Sequence, residues 1–316
     1  MSKKLRIVFM GTPHFALEIV KSIITNNHEV VGVVTVPDKP AGRGQKVQES
    51  PVKTFAVEQG LTLLQPTNLK DETFLSELQA LNADVFVVVA FRMLPKAVWS
   101  MPSKGTFNLH ASLLPQYRGA APINWAIINK EKETGVTTFF IDEHIDTGAM
   151  ILQESLPITA EETAGSLHDK LMHLGAKVVE DTLHLISEEK VETTIQPQHE
   201  ELRTAHKIHK DTCHVQWNAT VEDIDALIRG MSPYPTAWTN VSQGGNTFNM
   251  KIYEATPLRE EHSLIPGSIL QFKKEVRIAA NDGFIILKEI QLPGKRKMNI
   301  KDVLNGFEFQ SDAKAL

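Results

Sequence analysis

R-I-V-F-M-G-T-P-H-F-A-L-E-I-V-K-S-I-I-T-N, Arg6 to Asn26, decides the fold. It reads as a short apolar strand over Arg6–Met10, a turn at Gly11-Thr12-Pro13, and a helix over Phe15–Asn26 with Phe15, Ile19 and Ile23 along one face. The same alternation continues outward. Val30–Val34 and Leu61–Leu64 read as strands, and a helix is expected at about Asp71–Leu81. Val85–Val89 is β-branched throughout but for Phe86, the mark of a strand buried on both faces. Gly105–His110 and Gly135–Ile141 are the next strands, and Thr163–Ile186 carries Leu167, Leu171, Leu174 and Val178 at helical spacing. Strands alternating with helices predict βαβ units, hence an α/β, Rossmann-like, doubly wound and mostly parallel sheet.

After Ser187 the pattern changes. Ser187–Gln198 is polar, lacks a helical stripe and contains Pro197. Beyond it come a helix over Val221–Arg229 and several short strands, among them Val276–Ala280 and Phe284–Gln291 around the hairpin turn Asn281-Asp282-Gly283. The expected organisation is an α/β domain over 1–189, a basic linker over 190–209 and a smaller OB-like β-barrel domain over 210–316.

Bulk composition bounds the chemistry. A chain of 316 residues, 42% hydrophobic and 22% charged, is a globular protein of two domains. One cysteine, Cys213, forms neither an intrachain disulfide framework nor a thiolate zinc site. The apolar run after Lys3 and Lys4 is too short for a signal peptide, and charges interrupt the later ones, so a cytoplasmic protein with no membrane partner is expected. A net charge of −5 argues against a bulk nucleic-acid binder but leaves room for a local basic track.

The chemistry concentrates in N-L-H-A-S-L-L-P-Q-Y-R-G-A-A-P, Asn108 to Pro122. Asn108 and His110 lie two apart at a strand end, so both project from one face, at the sheet edge where ligands bind. An amide donor suits a developing oxyanion, and an imidazole moves protons near neutral pH. I-D-E-H-I-D-T-G, Ile141 to Gly148, then offers acids that orient a histidine; Asp142, His144 and Asp146 as metal ligands is the weaker reading, because no further ligand cluster accompanies them. Gly11-Thr12-Pro13 matches no phosphate-cradling motif. D-K-P-A-G-R-G-Q-K, Asp38 to Lys46, is a Gly-rich loop whose Lys39, Arg43 and Lys46 suit a phosphate backbone. Arg203, Lys207 and Lys210, interleaved with His206, His209 and His214, make a positive linker rather than a metal site. Lys295, Arg296 and Lys297 add a basic loop on the barrel.

Taken together, F-M-G-T-P-H-F-A (9–16), D-K-P-A-G-R-G (38–44), the block from Asn108 to Trp125, T-G-V-T (134–137), D-E-H-I-D-T-G-A-M (142–150) and Q-L-P-G-K-R-K-M (291–298) resemble the methionyl-tRNA formyltransferases within the folate-dependent formyltransferase group. The resemblance runs almost end to end. It implies formyl transfer from 10-formyltetrahydrofolate to the α-amine of initiator methionyl-tRNA, without a metal, by a cytoplasmic monomer. It places catalysis on Asn108, His110 and Asp146. It places the folate against Ser112, Leu113, Leu114 and Pro115, with Phe91, Arg92, Met93, Leu94, Ile141 and Asp142 around the pterin, and Arg43 at the acceptor end of the tRNA. Ala90-Phe91-Arg92 departs from the group's Ala-Tyr-Gly and sets a long cation beside the expected pterin wall.

Overall fold

A computed structural model of the chain describes residues 4–26, 28–41, 46–197 and 201–316. Two compact units emerge: 1–122 with 133–156 and 168–205, and 123–132 with 157–167 and 206–316.

The first unit is built on β1 (Arg6–Gly11), α1 (His14–Thr25) and β2 (Glu29–Val34). A two-stranded ribbon, β3 (Lys39–Ala41) and β4 (Lys46–Gln48), precedes α2 (Pro51–Glu58). α2 starts where Ser50 Oγ accepts the Lys53 N–H and Pro51 supplies a preset φ. β5 (Leu63–Leu64), α3 (Glu72–Ala80) and β6 (Val85–Val89) follow, with the Asp71 carboxylate capping α3 through the Phe74 N–H. α4 (Lys96–Trp99) leads to β7 (Thr106–His110) and the short β8 (Arg118–Gly119), after which α5 (Pro122–Ile128) falls, but for its first residue, in the second unit. β9 (Glu133–Phe140), β10 (Met150–Pro157), α6 (Ala164–Ser187) and β11 (Thr204–Ala205) complete the α/β half of the chain.

The main sheet runs β10-β9-β7-β6-β1-β2-β5. Its pairs from β5 across to β7 are parallel, and β9 is antiparallel to β7. The chain winds outward from β1 to β2 and β5, then returns to β6 on the other side of β1. That reversal opens a crevice beyond the carboxyl ends of the central strands, where doubly wound sheets bind ligands. Every residue of β6 is buried, as its β-branched run requires. Along α6, Leu167, Leu171 and Val178 are buried and Leu174 half-buried, so the expected stripe faces the core.

The polar stretch after α6 returns to this unit. Thr194 pairs with Met150 in an antiparallel bridge, and β11 runs parallel to β8. β8 and β11 approach closely at Gly119: its φ is +120°, and a Cβ there would sit 2.5 Å from the Ala205 carbonyl oxygen.

The second unit holds α7 (Val221–Met231), capped by Thr220, and an antiparallel sheet. Its strands are β12 (Ala237–Gln243), β13 (Asn246–Arg259), β14 (Ile269–Gln271), β15 (Val276–Ala279), β16 (Gly283–Gln291), β17 (Met298–Asn299) and β18 (Lys314–Ala315), with α8 (Ile300–Val303) between the last two. The order is β14-β15-β16-β13-β12-β18. Ser268, just before β14, bridges Lys314 of β18, and the Ala315 N–H donates to Gly267 O at 2.8 Å, so the two edges meet in a barrel. Trp217, Ile224, Ile228, Met250, Ile252, Ile285 and Leu287 fill its core.

Candidate active site

β7 ends on the site. Asn108 and His110 share one face of the strand, Asn108 between Val88 of β6 and Phe139 of β9. Asn108 is half-buried, and its amide makes no hydrogen bond among the described residues. A donor held on a rigid strand with no protein partner is available to a substrate oxygen.

His110 is 6% exposed. Its Nε2 lies 2.8 Å from the Tyr117 carbonyl oxygen. A carbonyl only accepts, so Nε2 carries a proton and donates it. Nδ1 then faces Asp146, 3.8 Å from Oδ2, an ion-pair distance longer than a hydrogen bond. The same Oδ2 accepts the Gly119 N–H at 2.9 Å. Nδ1 is therefore the ring's free edge, with a carboxylate alongside it.

Asp146 sits at φ 54°, in the left-handed region that non-glycine residues seldom occupy. The conformation is held from Gln196. Its side-chain nitrogen donates to the carbonyls of Asp146 and Gly148, each at 2.9 Å, while its Oε1 accepts from Arg118 Nε at 3.0 Å and Nη2 at 2.6 Å. Gly148 is needed for close packing: a Cβ would lie 1.7 Å from the Phe140 carbonyl oxygen. Gln196, 4% exposed, carries no pattern that sequence reasoning could use, since it lies in a polar run with no stripe or motif. The contribution of Tyr117 is a main-chain carbonyl and equally invisible in a sequence.

The segment Ser112–Pro115 is fixed from within. Ser112 Oγ donates to Gln116 O at 2.6 Å, Thr137 Oγ1 donates to Ser112 O at 2.7 Å and accepts the Leu114 N–H at 3.1 Å, and Gln153 Nε2 donates to Leu114 O at 3.0 Å. These polar groups are spent on one another, which leaves the side chain of the half-buried Leu113 as the segment's accessible apolar surface. Phe91, Leu94 and Ile141 share one hydrophobic cluster, whereas Met93 is 66% exposed. Arg92 is turned onto a neighbouring loop: its guanidinium donates to Pro66 O at 2.7 Å and Thr67 O at 3.1 Å and lies over the Phe91 ring. Burial draws its pKa below the usual guanidinium value. Asp142 is spent locally, its carboxylate accepting from the His144 N–H at 2.9 Å and the Thr147 hydroxyl at 2.8 Å.

The expected cations fall into both units. Lys39 is exposed on the ribbon; Arg43 lies outside the described residues, and of Lys46 only the backbone, in β4, is described. At the ribbon's foot Asp38 binds Lys53, and Gln65 donates to Asp38 at 2.9 Å. Lys53 and Gln65 hold the Asp38 carboxyl below the usual carboxylate range. Arg203 belongs to the first unit, where its main-chain N–H donates to Gln116 Oε1 at 2.9 Å. In the second unit Lys207 and Lys210 are exposed, Lys210 over the Trp238 ring. Lys295 and Arg296 are exposed with no ion pair among the described residues, while Lys297 is paired to Glu289 at 2.5 Å. Among the described residues, no group of three or more His, Cys, Asp or Glu is placed to hold a metal ion.

Comparison with known proteins decides among the chemistries this geometry allows. The formyl transferase model matches residues 5–183, and the model of the formyl transferase C-terminal domain matches 207–308. The methionyl-tRNA formyltransferase of Flavobacterium johnsoniae is 57% identical over 312 residues, 99% of either chain. That of Parabacteroides distasonis is 53% identical over 313 residues, 96% of either chain. The chain belongs to the methionyl-tRNA formyltransferase family. The fold is shared more widely. A sugar 3N-formyl transferase solved with dTDP and 5-N-formyl-THF superposes at TM-score 0.63 with 21% identity, over 93% of this chain and all of that one. HypX from Aquifex aeolicus, solved with tetrahydrofolic acid, superposes at 0.66 with 18% identity, over 96% of this chain and 47% of that one. In the described part of this chain, no helix is long and apolar enough to cross a membrane.

Proposed function

We propose that this chain transfers the formyl group of 10-formyltetrahydrofolate to the α-amine of initiator methionyl-tRNA, with Asn108, His110 and Asp146 as its catalytic groups. The observation that carries the reading is the free amide of Asn108 beside a histidine whose open nitrogen faces a carboxylate, on a chain of this family. The neutral amine attacks the formyl carbon, and the carbonyl π pair moves to oxygen. Asn108 Nδ2 and His110 Nδ1–H donate to that oxyanion. Asp146 stabilises the doubly protonated imidazolium, since Nε2–H is already committed to Tyr117. On collapse the C–N10 bond breaks, N10 takes a proton, and the attacking nitrogen loses one. Gln196 acts through Asp146 as a positioning residue.

The folate lies against Leu113 and the apolar surface around Phe91, Leu94 and Ile141, with Met93 at the rim. Arg92 supports the loop carrying Phe91 rather than reaching the pterin itself. The tRNA is held by Lys39, Arg43 and Lys46 on the ribbon, by Arg203, Lys207 and Lys210, and by Lys295 and Arg296 on the barrel. Lys297, already neutralised by Glu289, contributes less than the sequence pattern implies. We place the reaction in the cytoplasm, carried out by a monomer whose α/β domain does the chemistry and whose barrel binds RNA.

One assay tests the reading: formyl transfer from 10-formyltetrahydrofolate offered methionyl-tRNA, uncharged tRNA, an amino sugar nucleotide and water. Product on methionyl-tRNA alone is expected. Transfer to the sugar amine or to water, with methionyl-tRNA inert, overturns it.

A further inference from the structure

The barrel carries a cavity of about 290 Å³ that the proposed chemistry does not use. Its floor is Ile290, Leu292 and Val303, all buried. Phe248, Met298 and Phe307 line it and are half-buried, with the two rings edge to face at 5.6 Å between centroids. Lys295, Arg296 and Asp302 stand among the lining residues as its exposed charges. The neighbouring Lys297 is tied to Glu289, but Lys295 and Arg296 have no ion pair among the described residues. The volume sits at the small end of ligand pockets, which run from roughly 300 to 1,000 Å³, and suits one planar ring system rather than a folate.

Aromatic and thioether walls beside two unpaired cations match a ligand with a flat apolar body and an adjacent anion. An unpaired nucleotide has that form, with base and phosphate joined through the sugar. Bases that leave a stack are held on aromatic faces while cations take the backbone. We propose that this cavity receives one unpaired nucleotide of the acceptor tRNA, its base against Phe307 and Phe248 and its phosphate on Lys295 and Arg296. Asp302 is an acceptor for an exocyclic amine of the base, which favours adenine, cytosine or guanine over uracil. The inference rests on the tRNA reading above, but the two fail separately.

The test compares Phe307→Leu, Phe307→Ala and the double variant Lys295→Ala/Arg296→Ala with the parent, using methionyl-tRNA as the probe. Phe307→Leu keeps an apolar wall and removes the aromatic face, so it reads stacking in a folded barrel; equal thermal midpoints confirm the fold. The expected result is a KM for methionyl-tRNA raised about tenfold in both Phe307 variants, with kcat, folate KM and salt slope unchanged. The double variant should lower the salt slope by about one, for the single phosphate it no longer holds. A tRNA bearing 6-thioguanosine, which keeps an exocyclic amine, should crosslink at Phe248, Met298 or Phe307. If Phe307→Leu and Phe307→Ala both stay within twofold of the parent while the charge variant loses affinity, the tRNA reading stands and the base pocket falls. Concentration-dependent dimerisation abolished by Phe307→Ala would assign the cavity to a second copy of the chain and also overturn the proposal.

Discussion

His110 shows how much a neighbouring main-chain atom constrains a side chain's chemistry. With Nε2–H donated to Tyr117 O, only Nδ1 of the ring is left to exchange a proton, and Nδ1 meets Asp146 before it meets bulk water. Removing the charge while keeping the shape, Asp146→Asn, should cost turnover about 10²-fold or more without a matching rise in folate KM. Gln196 sets Asp146 from behind. Gln196→Ala should lower kcat by about 10–100-fold, the scale of a misplaced catalytic group, and leave both KM values within about twofold. Gln196→Glu keeps an acceptor for Arg118 but loses both donations to the loop, so it should resemble the alanine variant. A Gln196→Glu enzyme with parental kcat would show that those two hydrogen bonds do not position Asp146. Asn108, His110 and Asp146 were legible in the sequence as residue types at a strand end and in an acidic loop; Gln196 was not, because its role comes from where the chain returns.

Elements divide along a similar line. β1, β2, β6, β7, α3 and α6 match their expected spans to within a residue or two, because apolar spacing and Asp71 or Gly11 at their ends mark them directly. α2 and β10 were not anticipated. α2 is short, and only half of its length is apolar; β10 alternates burial along Met150–Pro157 with polar residues that give no continuous run. β13, the longest strand, was hidden by Pro257 and by shifts of register at Ile252–Ala255 that break its alternation. The basic ribbon shows what an element owes to its anchor. Asp38 binds Lys53 and Gln65, so Asp38→Asn should loosen its foot, raising KM for methionyl-tRNA several-fold with folate KM unchanged. The folded-state pKa of Asp38 is depressed, so its contribution is complete above the unfolded value of about 3.9 and is lost only as pH falls through the lower folded one. From pH 5 to 8 the ribbon's effect on KM should therefore be flat; a step in that window would contradict this anchoring.

At the scale of the whole molecule, an acidic chain that binds RNA must do so by local cations, and its affinity must fall with salt. The plot of log affinity for methionyl-tRNA against log salt should be linear and steep, and Lys297→Ala should leave its slope nearly unchanged because Glu289 already neutralises that lysine. A flat plot would remove the RNA track. Cys213 offers a probe of the barrel: it is 2% exposed, its thiol reaches His209 O at 3.4 Å, and burial pushes its pKa up. Its reaction with a disulfide reagent at neutral pH should be slow and should accelerate with denaturant as the barrel opens; fast labelling of the native protein would contradict that packing. The central claim is that an oxyanion donor on β7 drives formyl transfer to an aminoacyl amine. Its most direct test is kcat for formylation of methionyl-tRNA by Asn108→Ala. A fall of about 10²–10³ with little change in folate KM is predicted; turnover within about twofold of the parent would contradict it.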